Sequence, residues 1–505
     1  LTARKPWPLT SKNKLDKEYS YTYQSVPGTN TGPYEPRAGN VFRNYKVKSR
    51  VISAFEKTYP SLSEQEINLL DPILQYMDVS FPYRSFLNNW YRKLYVMHAI
   101  NHIQKTRDRV IKNNQKLHNF RNSETSGEEP ELRDQGFTRP KVLILLPTRE
   151  VAYEVVTELI KLSGSEQQET KSKLTKQFHT DEVPPEYKPA DFQDAFKGNN
   201  SDFFCLGVKF TRKSLKLYSS FYTSDLIIAS PIGLSMILES PDAKKRQYDF
   251  LSSIEVLIVD KANHLEMQNW DHVATVMKYV NKIPKEFHDA DFLRIRMWYI
   301  NDQSRLLRQT LVFSEYTTPQ VNNLISSKSY NVAGKLKFKY HVTTESCIMN
   351  SIGLKIKQIF QRFDSPSPVT DPDTRFKFFV NTVLPSLMKT TSYDNGMLIY
   401  IPSYFDYLRV KNYLEKHGKI TFGSVDEYSS QAQLLRTRNG FAAGKLKILL
   451  YTERLHFFRR FEINGVKNLF MYGVPTNPIF YKDLAKFIGK SVFKEEADVD
   501  LSFLK

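Results

Sequence analysis

Two tandem α/β domains, each a parallel sheet doubly wound by helices, are what this sequence predicts, with a basic extension in front. Short, wholly apolar runs recur with helical-period stretches between them, the pattern of strands buried on both faces. The theme restarts near residue 396. The chain has 505 residues, 41% of them hydrophobic and 13% aromatic, which favours two or three domains and suffices for sizeable cores.

Residues 1–62 read as a basic, extended N-terminal arm. The first fifty positions carry ten Lys or Arg against three acids, with scattered Pro, Gly, Tyr and Ser. Such composition suits a segment that wraps a partner or stays disordered. Residues 63–330 are assigned to the first domain. The stretch 63–120 is expected to be helical, with Val96, Ile100, Ile103 and Ile111 as an apolar stripe. Arg92, Lys93, Lys105, Arg107, Arg109, Lys112 and Lys116 are expected to face outward, with Asp108 the single acid among them. That imbalance makes phosphate contact a candidate role for Arg92, Lys93, Lys105 and Arg109.

Residues 122–136 are acidic, contain Gly127 and Pro130, and read as a loop. Strands are expected at Val142-Leu143-Ile144-Leu145-Leu146, Leu226-Ile227-Ile228-Ala229, Val256-Leu257-Ile258-Val259 and Thr310-Leu311-Val312-Phe313. The polar, Pro-containing stretch 163–200 reads as an insertion loop. Residues 331–390 would connect the domains, with Pro366, Pro368 and Pro372 breaking regular structure. The second domain, 391–505, opens with Met397-Leu398-Ile399-Tyr400-Ile401. Lys447-Ile448-Leu449-Leu450-Tyr451 and Asn468-Leu469-Phe470-Met471-Tyr472 follow.

The formal net charge of +18 and pI near 9.4 point to polyanionic partners, nucleic acid above all. Cys205 and Cys347 stand far apart, against a disulfide framework or zinc module. No apolar run approaches the ~20 residues that span a bilayer, so no membrane role is expected. The opening Leu1-Thr2-Ala3-Arg4-Lys5 lacks an initiator Met and a signal-peptide pattern, as in a fragment or a stitched set of ordered segments. His98 and His102, one helical turn apart, are expected to face solvent or RNA rather than a metal. No metal site and no G-x-S-x-G nucleophile are expected.

The order of segments resembles the DEAD-box RNA helicases. Pro147-Thr148-Arg149-Glu150 resembles their P-T-R-E element, Ser230-Pro231-Ile232-Gly233 their T-P-G-R, and Asp260-Lys261-Ala262-Asn263 falls at D-E-A-D. Ser314-Glu315-Tyr316 stands at S-A-T, Gln433-Leu434-Leu435-Arg436 at Q-x-x-R, and Thr452-Glu453 at T-D. Glu462-Ile463-Asn464-Gly465-Val466 resembles I-D-I-P-G-V, and Phe487-Ile488-Gly489-Lys490-Ser491 stands where H-R-I-G-R-T-G-R should lie. The shared order over some 350 residues carries the signal. It implies two RecA-like domains. More narrowly, the degenerate set resembles the digestive-organ-expansion-factor family of helicase-like subunits of the small-subunit processome. That resemblance implies a nuclear, nucleolar role in ribosome assembly, with pre-rRNA, snoRNA and other processome proteins as partners.

The catalytic parts are worn. A phosphate loop needs glycines and a Lys, yet no glycine occurs between Gly39 and Gly127, and Ser85-Phe86-Leu87-Asn88-Asn89-Trp90-Tyr91 offers bulky side chains. The water-orienting Glu is Lys261, a cation that accepts no proton. Aligned on Gly489, the arginine-finger positions hold Phe487, Lys490 and Phe493. Asp260 and Lys261 are therefore read as degenerate nucleotide-site positions, and no cofactor, catalytic residue or small-molecule substrate is expected. By resemblance, Thr148, Arg149, Gly233, Gln433, Arg436 and Thr452 are candidate RNA contacts; Arg149 pairing within its domain and Arg436 stabilising its helix are the plainer alternatives. The expected function is that of a catalytically inactive scaffold. The rivals are an active ATP-dependent RNA helicase and a charge-driven RNA chaperone.

Overall fold

A computed structural model gives the fold, describing residues 9–15, 18–26, 34–37, 39–122, 129–165, 167–288, 290–393, 395–418 and 420–495. The chain divides into two compact units, meeting at His341 and Val342. Each is doubly wound α/β, the fold class read from the sequence.

The strands of the first unit are β1 (Leu9–Lys14), β2 (Tyr19–Gln24), β3 (Asp78–Pro82), β4 (Val142–Leu145), β5 (Gln167–Glu169), β6 (Cys205–Phe210), β7 (Ser214–Leu217), β8 (Leu226–Ala229), β9 (Val256–Val259), β10 (Gln309–Ser314) and β11 (Lys335–Tyr340). They form one sheet in the order β1-β2-β11-β3-β10-β9-β4-β8-β6-β7-β5. Its centre, from β11 to β8, is parallel; Val142, for example, pairs with Leu226 on one side and Val256 on the other. Alternation along these strands serves both faces. Ile144, Ile258 and Phe313 enter one core, while Leu143, Leu257 and Val312 enter another. Burial on both sides is why the runs are continuously apolar.

The second unit repeats the scheme with β12 (Met397–Ile401), β13 (Phe422–Val425), β14 (Ile448–Thr452) and β15 (Asn468–Met471), all parallel, in the order β13-β14-β12-β15. Ile399 and Leu450 face one core; Leu398 and Tyr451 face the other. Side-chain oxygens cap the helices that leave strand ends: Thr148, Ser230, Ser403 and Thr452 each accept from a first-turn amide.

Four expectations are corrected. The arm 1–62 is not simply extended: β2 adds antiparallel to β11, burying Tyr19, Tyr21 and Tyr23, and helix Ser49–Thr58 packs Val51 and Phe55 into the core. The alternation Tyr-Ser-Tyr-Thr-Tyr was already strand-like, but only folding sets it between β1 and β11. The stretch 63–120 is broken into helices Glu64–Leu74 and Arg92–Arg121 by the fully buried β3. The insertion 163–200 holds β5 and helices Lys171–Phe178 and Ala190–Phe196. The span 331–390 is shared: β11 belongs to the first sheet, and helix Asp371–Phe378, with Pro372 in its first turn, lies in the second unit.

Candidate functional site

Asp260 ends β9, where a helicase-type ATPase would place its metal-holding carboxylate. It is fully buried. Its Oδ1 accepts from the Tyr91 hydroxyl at 2.6 Å and the Lys261 amide at 2.7 Å. Its Oδ2 accepts from Arg92 Nε at 3.0 Å and the Tyr95 hydroxyl at 2.8 Å. Tyr91, Arg92 and Tyr95 come from the start of helix Arg92–Arg121, which follows β3 just as a phosphate-loop helix would. The Tyr91 ring is sandwiched between Tyr83, at 4.9 Å, and Phe313, at 4.8 Å. Aromatic rings thus occupy the ground where glycines would expose backbone N–H groups. Burial first, then the Asp260 charge, raises the Tyr91 and Tyr95 hydroxyls well above their ordinary range, so both remain donors.

The charges around Asp260 form a closed chain. Arg92 reaches Glu154 at 2.5 Å, Glu154 meets Lys197 at 3.3 Å, Lys197 meets Asp194 at 2.8 Å, and Asp194 meets Lys261 Nζ at 3.2 Å. Three cations alternate with three carboxylates. Burial alone would raise Glu154 and Asp194, but Arg92 and Lys197 around the first, and Lys261 and Lys197 around the second, hold both below the usual range. Asp194 lies on helix Ala190–Phe196 and Lys197 just beyond it, so the insertion supplies two of these six charges. Lys261 itself adopts φ +50° at the head of helix Ala262–Tyr279. A magnesium–phosphate group does not fit these residues: both carboxylate oxygens are taken, and no glycine cradle exists. Among the described residues no group of three or more His, Cys, Asp or Glu is placed to hold a metal.

The other candidates scatter by burial. Arg92 is committed to Asp260 and Glu154 rather than facing solvent, which corrects its reading as an RNA contact. Lys93 is corrected likewise: it pairs with Glu66 and lies over the Tyr59 ring, with its side chain 14% exposed. Lys105 donates to the Tyr45 carbonyl at 3.0 Å, and burial together with Lys48 and Lys46 lowers its pKa. Arg109 is exposed, as are Lys112 and Lys116. Thr148 is a buried cap, its hydroxyl accepting from Val151 N at 3.4 Å. Arg149 donates to the carbonyls of Phe203 and Gln177, pinning the insertion. Gly233 is buried; a Cβ there would lie 2.4 Å from the Phe204 carbonyl, so the backbone leading into β6 covers the helix start. Thr452 is buried too, capping its helix and donating to Glu427 at 3.0 Å. Gln433 and Arg436 are exposed on helix Gln431–Ala442.

His98 and His102 are corrected as well. Both are buried; His98 meets Gln309 at 2.7 Å, and His102 meets Glu255 at 2.8 Å. Gly489-Lys490-Ser491 sits inside helix Pro478–Glu495, where Phe487 joins the core and Lys490 pairs with Glu462. The sequence reading missed Tyr91, Tyr95, Glu154, Asp194 and Lys197. The one local signal was Tyr91-Arg92-Tyr95, polar groups one helical turn apart where a phosphate loop's Lys and Thr would be.

Comparison with known proteins bears on the same residues. Residues 76–336 match the family model described as UTP25, NTP hydrolase-like domain, and residues 348–505 match Utp25, C-terminal domain. A protein of Debaryomyces hansenii called U3 small nucleolar RNA-associated protein 25 is 65% identical over 506 residues, covering 99% of this chain and 70% of that one. The protein of that name from Scheffersomyces stipitis is 63% identical over 514 residues, covering 99% and 71%. Among solved structures, the yeast DEAD-box splicing factor Prp28 is 16% identical with TM-score 0.34, covering 93% of this chain and 81% of its own. Matched by these models over residues 76–336 and 348–505, the chain belongs to the Utp25 family.

Proposed function

We propose that this chain is a catalytically inactive, helicase-like ribosome-biogenesis factor, an RNA-binding scaffold of the nucleolar small-subunit processome needed for small-subunit pre-rRNA processing. Its partners are then pre-rRNA, snoRNA and other processome proteins. The relatives' name, U3 small nucleolar RNA-associated protein 25, supports the setting. The degenerate helicase elements support a place beside the digestive-organ-expansion-factor proteins. The observation that carries the loss of catalysis is Asp260, whose two oxygens are held by Tyr91, Arg92, Tyr95 and the Lys261 amide. Removing a single transition-state arginine or orienting group costs on the order of a thousandfold; here the cradle, the base and the fingers are all replaced.

For RNA, the exposed cations matter more than the worn helicase elements. Arg109, Lys112 and Lys116 project from helix Arg92–Arg121, and Arg212 and Lys213 from the β6–β7 turn. Arg107 ties the two by donating to the Phe210 carbonyl at 3.1 Å. Such a ridge suits a phosphate backbone read without sequence preference. Two measurements test this reading. A fluorescent ATP analogue should not bind at micromolar concentration, and RNA should elicit no phosphate release; turnover would instead establish an active ATP-dependent RNA helicase. Crosslinking with sequencing should place RNA on the basic ridge, and Arg109→Glu with Lys112→Glu should flatten the salt dependence of binding by about one unit per lost phosphate contact.

A further inference from the structure

In the second unit, residues 352–370 run without helix or strand between the short turn Ile348–Ser351 and helix Asp371–Phe378. Part of this stretch is firmly seated. Leu354 packs over Gly489, whose missing Cβ would lie 2.6 Å from a Leu354 methyl. Gln358 accepts from the Tyr481 hydroxyl. Phe363 stacks on Phe378 with centroids 5.6 Å apart, and the Arg375 guanidinium lies over the Phe363 ring, 5.4 Å from its centre.

Between these anchors the main chain of residues 352–364 makes no hydrogen bond to any described residue. Burial alternates from Ile352 to Lys357, with Leu354 and Ile356 half-buried and Lys355 and Lys357 exposed, and residues 358–362 are then all exposed. Ile359 and Phe360 stand 71% and 75% exposed. A period of two over 352–357, an unpaired row of N–H and C=O groups and the outward apolar side chains that follow describe an extended segment without a neighbour. Exposed apolar groups on a held segment mark an interaction surface.

We propose that residues 354–363 are a docking strand for an extended acidic segment of another protein, which adds alongside them by main-chain pairing. Charge selects this occupant. Lys355 and Lys357 have no ion-pair partner among the described residues, and the single acid nearby, Asp364, is held by Arg362 at 3.1 Å. A second copy of this chain would set cations against cations, which is unfavourable across paired strands. Aliphatic Ile359 and an open amide ladder fit a polypeptide; RNA would be served by stacking rings and phosphate contacts alone. The segment belongs to the second unit and the Asp260 network to the first, and the proposal stands whether or not the chain binds RNA.

Fluorescence anisotropy with the full chain tests it. The probe is a labelled peptide of sequence Glu-Val-Asp-Val-Glu-Val-Asp-Val. Its controls are the same residues in blocks, Val-Val-Val-Val-Glu-Asp-Glu-Asp, and a ten-nucleotide uridine RNA. The alternating peptide should bind saturably and about tenfold more tightly than the blocked one. Ile359→Pro, which removes one amide donor, and Phe360→Asp should each weaken it about tenfold or more, with thermal unfolding unchanged because both side chains are solvent-facing. Equal binding of the two peptides, or binding indifferent to both substitutions, overturns the proposal. So does a Phe360→Asp effect on the uridine RNA alone, or a dimer of the parent chain that this substitution dissolves.

Discussion

Replacing Asp260 by Ala should unfold the first unit long before it alters any chemistry. In an ATPase that Asp holds a metal, and its loss is felt in turnover. Here the carboxylate is fully buried and holds two tyrosine hydroxyls and Arg92, itself almost wholly buried. Removing one member of a buried ion pair leaves the other charge uncompensated and costs about 3–5 kcal/mol. Glu154 remains bonded to Arg92, which places the expectation at the lower end, about 3 kcal/mol. That is a large share of the roughly 5–15 kcal/mol that stabilises a typical domain. Urea unfolding of the full chain, followed by tryptophan fluorescence, should show the first-unit midpoint shifted with its slope unchanged. Asp260→Asn keeps the shape and should cost less. Arg92→Met combined with Asp260→Ala should cost at least about 1 kcal/mol less than the sum of the single changes, since neither partner is then stranded. A midpoint for Asp260→Ala equal to that of the parent would refute the reasoning.

Restoring the catalytic carboxylate should not restore catalysis. Lys261→Glu sets a third acid beside Asp260 and Asp194 and breaks the contact at 3.2 Å, so stability should fall by roughly 1 kcal/mol or more while phosphate release stays at background. Acid should destabilise the first unit through His98 and His264, both lowered to about 3 by burial, with neighbouring cations adding to it. Unfolded histidine takes up a proton near pH 6.5 and the folded side chains do not. Their contribution to stability is therefore fully present above that pH and lost below it, by about 1.4 kcal/mol per pH unit for each residue; in a urea series from pH 7.5 to 5, His98→Asn should lessen the acid loss by about that amount per pH unit below pH 6.5. Gly233→Ala should lower thermal stability, because its Cβ would meet the Phe204 carbonyl at 2.4 Å and backbone on neither side can yield cheaply; an unchanged melting temperature would mean that the backbone at Phe204 does not press on this helix.

Legibility followed the range of the interaction. The central strands β4, β8, β9 and β10 were readable because burial on both faces forces unbroken apolar runs. Their helices were readable from period, whereas the capping roles of Thr148 and Ser230 emerged only from the structure. The position of Asp260 and Lys261 was readable as well, since both directly follow the apolar run of β9. Strand β3 was lost inside an assumed helix because its five residues, Asp-Val-Ser-Phe-Pro, carry an acid and a proline. The Asp78 carboxyl is sheltered there by the Thr310 amide at 2.7 Å, a partner 232 positions away. The basic helix misled for the same reason. Counting charges could not separate Arg92 and Lys93, committed to Asp260, Glu154 and Glu66, from Arg109, which faces water.

By itself, then, the sequence determined the two-sheet architecture, the basic character and the absence of a glycine cradle, since each is written in local composition or period. What fills the vacated ground was decided only in three dimensions. Tyr91, Arg92 and Tyr95 come from one helix, Glu154 from the next, Asp194 and Lys197 from an insertion, and Asp260 from a strand more than 160 positions beyond the first of them. A charge can be buried only where opposite charges and donors surround it, and chain order does not reveal which side chains folding will bring within 3 Å of a carboxylate.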